Sequence, residues 1–158
     1  MTLLRRVLLV FSFALFWGGL TFYTGFVVRI AHDVVSDSME GGLITQRVTE
    51  LLQWLAVVAV TFMIWESLAT WKSFPRRASI MIVCCVAVAC SLAGLFAVHA
   101  ELDAVISIEA AEVIDRQSFT INHRRYNQLT TVEWIASVCF LPIAISTWQA
   151  PKLRSETA

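Results

Sequence analysis

The sequence predicts an all-α protein: a four-helix transmembrane bundle with an outward-facing helical extension between spans three and four. Three observations lead there. The hydrophobic fraction is 58% and the charged fraction 15%, against about 45–50% and about 25% in soluble domains. Mean hydropathy is +0.70. The apolar residues also gather into four long blocks, each near the roughly 20 residues a helix needs to cross hydrocarbon. With 158 residues, the chain is expected to form a single integral membrane domain, 1–158.

The first block, 7–28, holds no charged residue. It is longer than the roughly 7–15 apolar residues of a signal-peptide core, so it reads as a retained span. Within it Ala14, Gly18, Thr21 and Gly25 recur at spacings of four, three and four. Small residues on one stripe let helices approach closely in lipid. The stripe is expected to pack inside the bundle, or else against a second copy or a membrane-protein partner. The second block is 48–69, with an uncharged centre over 51–65. The third, 78–98, is again uncharged. The fourth, 131–149, contains Pro142, which is expected to kink it.

Lys and Arg number 12, as do Asp and Glu, so the net charge is zero. That argues against a polybasic surface for nucleic acid. Orientation follows the basic residues near the span ends. Arg5, Arg6, Lys72, Arg76, Arg77, Lys152 and Arg154 share one side. The other side mixes Arg29, Arg47, Arg116, Arg124 and Arg125 with many acids. The first side is therefore expected to be cytoplasmic, with both termini there, in a bacterial inner membrane. Trp71 and Trp148 then mark the inner interface, and Trp54 and Trp134 lie nearer the outer one.

Two segments face outward. Over 29–47, Ser36-Asp37-Ser38 and Gly41-Gly42 signal a turn. Over 99–130, Leu102, Val105, Ile106, Ala110, Val113 and Ile114 recur at helical spacing. The third helix is expected to project beyond the membrane, or an amphipathic helix to lie on its surface. The fourth helix is expected to start early, near Phe119.

No nucleotide-binding, nucleophile-elbow or zinc-protease motif occurs, so the chain is read as a non-enzyme. Cys84, Cys85, Cys90 and Cys139 all lie in apolar blocks and read as packing residues. The candidate chemistry lies with the histidines. His32, His99 and His123 each fall near an outer membrane boundary. His99 and Asp103 are four apart, on one helical face. A set of His99, Asp103 and His123 suits a divalent metal ion, with Tyr126 and Glu133 in support. Hydrogen-bonded interfacial histidines without a metal are the plainer reading.

Intramembrane acids are functional candidates by default. Glu50, Glu66 and Glu133 all fall near span ends, where each can reach polar surroundings. Thr130 to Glu133 matches a capping box. If the helix starts earlier, Glu133 is instead expected to pair with Arg124, Arg125 or Arg47. The midplane, taken at 18–21, 57–60, 87–90 and near Pro142, holds no charge. That argues against a proton-coupled transporter and against haem held by histidines in mid-membrane.

Four stretches carry a resemblance: Trp17-Gly18-Gly19 leading to 22–28, Thr45-Gln46-Arg47-Val48-Thr49, His99-Ala100-Glu101-Leu102-Asp103, and His123-Arg124-Arg125-Tyr126 followed by 130–134. In this order between four spans the chain resembles small bacterial membrane proteins of the DUF4149-type family. More distantly it is similar to copper-resistance-protein-D-like membrane proteins. The resemblance implies copper handling, or haem bound through histidine as in an integral-membrane protoporphyrinogen oxidase. Here His32 falls beyond the span, unlike that oxidase's opening. The combined expectation is a small inner-membrane protein that binds an ion or a partner at its outer face. Its alternatives are a haem-binding redox protein and a structural subunit of a larger membrane complex.

Overall fold

The computed structural model describes residues 2–34, 38–107 and 112–149. Expectations that rest on Ser36, Asp37, Ala110, Lys152 and Arg154 lie outside the described residues. So do the side chains of His32, Ser38 and Glu112.

Four long helices make the molecule, each long and apolar enough to cross a membrane. Helix α1 covers 2–34, α2 Ser38–Trp71, α3 Pro75–Ala104 and α4 Arg116–Gln149. The chain is an all-α integral membrane protein. Helix α1 packs on α2, α2 on α3, and α3 on α4. Arg5, Arg6 and Trp148 meet at one end, here called basal. The opposite end, where α1 and α3 finish and α2 and α4 begin, is called apical.

Only about a third of each span faces the interior: 33%, 33%, 39% and 28% from α1 to α4. Leu3, Phe11, Phe22, Leu51, Leu68 and Val83 are among the large apolar side chains left outside. Such patches on a water-soluble monomer would be an aggregation hazard. Against lipid tails they cost nothing, because the tails are as apolar as leucine. Polar side chains in the spans turn back on their own helices. Thr61, Ser67, Thr130 and Ser137 each donate to the carbonyl four residues before. That satisfies a hydroxyl where no water is present.

Helix α1 contains two π turns, Ala14–Gly18 and Tyr23–Val27. Its inward face is Leu9, Phe13, Phe16, Leu20 and Tyr23. The small-residue stripe lies on the other side: Ala14 and Gly25 are exposed, and nothing stands within 4 Å of a Cβ built on Gly18 or Gly25. The expectation that it packs within the bundle is therefore corrected. Burying aromatic and leucine side chains yields far more contact than burying glycine, so the bulky face turns inward. Thr21 is the exception, accepting a bond from Trp134 Nε1 at 2.9 Å. The close glycine contact in α1 belongs to Gly19, where a Cβ would stand 3.2 Å from Leu52.

Pro75 opens α3 at its first turn, where no amide donor is needed. The preceding turn is closed by the Ser73 and Phe74 amides on the Thr70 carbonyl. Helix α3 ends at Ala104, so the helical pattern expected through Ile114 does not hold. Ile106–Ser107 pairs antiparallel with Glu112–Val113 instead. β-Branched residues on both sides favour that extended pairing.

Helix α4 starts early, as expected, at Arg116. Asp115 caps it: its Oδ1 accepts from the Gln117 and Ser118 amides at 3.0 and 3.1 Å, and its Oδ2 from the Ser118 hydroxyl at 2.6 Å. The Ser118 hydroxyl and amide hold the Asp115 carboxyl below the usual carboxylate range. Thr130 and Glu133 are thus mid-helix, and the capping-box reading fails. The helix runs on through Pro142.

Candidate functional site

The helix register brings polar groups together at the apical end. Helices α2 and α3 enclose a hollow of about 600 Å³ lined by Gln46, Glu50, Gln53, Trp54, Phe96, His99 and Asp103, among others. His99 and Asp103 sit one turn apart on α3, with Nε2 3.8 Å from Oδ1. Gln46 of α2 donates to Asp103 across the hollow. Arg47 is paired with Glu50 at 3.2 Å on its own helix. Trp54 and Phe96 meet edge to face, with ring centroids 5.5 Å apart, and form the apolar wall.

His123 is not part of this hollow. It is exposed, stacks on Phe119 at 5.8 Å, and lines a shallower hollow with Arg124, Asn127 and Thr131. The expected set of His99, Asp103 and His123 does not assemble. Among the described residues no three His, Cys, Asp or Glu side chains are placed to hold a metal ion. The reason is angular. Asn122 and Tyr126 take the inward face of α4, and His123, the neighbour of Asn122, is turned outward.

Tyr126 does belong to the interior. Its ring lies 6.4 Å from that of His99, and its hydroxyl accepts from Gln53 Nε2 at 3.2 Å. Tyr23 donates to the Thr45 carbonyl at 3.3 Å on the same inner side. Glu133 follows Tyr126 by two turns on the same face and is 3% exposed. Its Oε1 has no hydrogen-bond partner, and neither has Gln53 Oε1. None of the expected arginine partners reaches it: Arg125 pairs with Glu101 at 3.8 Å, and Arg47 with Glu50.

Glu133 also stands deeper than expected. It lies halfway along α4. Its neighbour Trp134 stacks on Trp17 at 5.7 Å and bonds to Thr21, in the middle of α1. The expectation of a charge-free midplane is corrected accordingly. Centring α4 on Pro142 ignored its long polar start. The recurrence of Asn122, Tyr126, Leu129, Glu133, Ser137 and Phe140 at steps of three and four was the available signal.

The basal end holds a second buried acid. Glu66 is 0% exposed. Arg5 pairs with it through Nε, and through Nη2 at 3.3 Å. Trp148 Nε1 donates to it at 2.8 Å. Arg6 stacks over the Trp148 ring at 5.2 Å. The cluster joins α1, α2 and α4. Sequence distance hid it, since Arg5 and Glu66 are 61 residues apart.

No family model, curated protein or solved structure matches this chain. The fold and the site define it as a four-helix membrane protein with a polar apical hollow.

Proposed function

We propose that the protein is a non-enzymatic membrane binding protein whose apical hollow takes a small amphipathic cation. The observation that carries this reading is the lining of the hollow: the carboxylates Asp103 and Glu50 opposite the aromatic wall of Trp54 and Phe96. An aromatic face attracts a cation most strongly where water is displaced. His99 and Gln46 position Asp103. A metal ion held at His99 and Asp103 would need further ligands from solvent or a partner. Arg5, Arg6, Lys72, Arg76 and Arg77 at the basal end support a cytoplasmic placement of that end in a bacterial inner membrane.

The test is a titration of the purified protein with tetraphenylphosphonium, read by tryptophan fluorescence. Saturable quenching that is lost in Trp54→Phe and weakened in Asp103→Asn supports the reading. Non-saturable partition, equal in all variants, overturns it. An absorbance spectrum and elemental analysis of the same sample decide the metal and haem readings. Stoichiometric metal or a Soret band, lost in His99→Ala, would replace the organic cation.

A further inference from the structure

We propose that Glu133 is a proton-binding site in the middle of the bundle, holding a proton at rest and coupled to Gln53 and Tyr126. The inference stands on geometry and does not depend on what occupies the apical hollow. Glu133 is buried halfway along α4. It has no ion-pair partner among the described residues. Its Oε1 is an acceptor without a donor, and so is Gln53 Oε1. Gln53 donates to Tyr126, which stands two turns before Glu133 on the same face of α4.

The charged groups described at this end are engaged or exposed. From α1, Tyr23 donates to Thr45, and Arg29 and Asp33 are exposed. From α2, Arg47 and Glu50 pair with each other. From α3, His99 lies beside Asp103, and Glu101 takes Arg125 of α4. Also on α4, Arg116, His123 and Arg124 are exposed. Nothing in that inventory neutralises a carboxylate at position 133. An unpaired charge in a low-dielectric interior is the costliest state available, and the group takes up a proton instead. A proton on Oε1 also turns that orphaned acceptor into a donor. An intramembrane acid of this kind marks a site of proton uptake and release. Glu66 is the counter-example in the same chain, since Arg5 and Trp148 both donate to it.

Infrared spectroscopy of the full chain in lipid nanodiscs tests the proposal across a pH series. The expected result is the carbonyl band of a protonated carboxyl at neutral pH, which fades at alkaline pH. The band should be missing from Glu133→Gln and unchanged in Glu50→Gln. Glu133→Asp keeps an acid at the site and should shift the band, which covers the case of a Gln variant that fails to fold. Gln53→Leu should shift it too, through the changed polarity around the acid. No protonated-carboxyl band at neutral pH, or one that persists in Glu133→Gln, overturns the site. A band unmoved in Gln53→Leu overturns the coupling.

Discussion

Two glutamates are buried among the described residues, and they are solved in opposite ways. Glu66 at the basal end is surrounded by donors: Arg5 on two nitrogens, and Trp148 on one. Glu133 in the middle has no cation beside it among the described residues, and an orphaned oxygen. One carboxylate ties three helices together, and the other is tolerated by them. The contrast teaches that burial alone says little about an acidic residue. What decides its role is whether the fold brings a counter-charge to it.

The contrast can be broken at its strongest point first. Removing either partner of a buried pair strands the other charge, at a cost of about 3–5 kcal/mol. Arg5→Ala and Glu66→Ala should each lower the thermal midpoint of helix loss in detergent markedly. The double variant should cost less than the sum of the two. Equal losses in Glu66→Ala and Glu133→Ala would erase the distinction.

Packing beside Glu133 sharpens it. A Cβ on Gly94 would meet Leu129, one turn above Glu133, at 3.0 Å. Gly94→Val should cost about 1–3 kcal/mol by overpacking. Gly18→Val, with open space around it, should stay near wild type in the same melt. Next in size, Glu133→Leu should raise stability by about 1 kcal/mol, because it removes an unsatisfied buried polar atom. A large loss there would mean that Glu133 has a partner after all.

The smallest effect belongs to a third carboxylate, the exposed cap Asp115. Its carboxyl titrates below its unfolded value, so the cap is fully formed above the ordinary carboxylate range. It is lost as pH falls through the lowered value. Hydrogen exchange at the Gln117 and Ser118 amides should therefore quicken in acid, beyond the intrinsic rate. Asp115→Ala should show the quickened exchange already at neutral pH.

The four spans were legible because each is a long apolar run, and a backbone in lipid has few options but helix. The early start of α4 was legible from its periodicity. Its depth was not, because hydropathy weights the apolar half of a helix and places the centre too low. Hence Glu133 was read at a span end. The pairing of His99 with Asp103 followed from spacing within one helix. His123 failed to join them because its direction depends on which face of α4 turns inward, and Asn122 and Tyr126 claim that face. The small-residue stripe misled for a related reason: a bulkier stripe ran along the opposite side of α1. Contacts such as Arg5 with Glu66 join distant parts of the chain and leave no local trace.

Two leucines rest over glycines in this bundle: Leu52 over Gly19, between α1 and α2, and Leu129 over Gly94, between α3 and α4. Each works as a detent. A helix sliding by one turn, about 5.4 Å, would have to lift its leucine out of the notch and over the next side chain. Axial travel within each pair is therefore opposed at that contact, while neither catch bears on tilting of one pair against the other. The height of Tyr126 relative to His99 is set by the second of these stops.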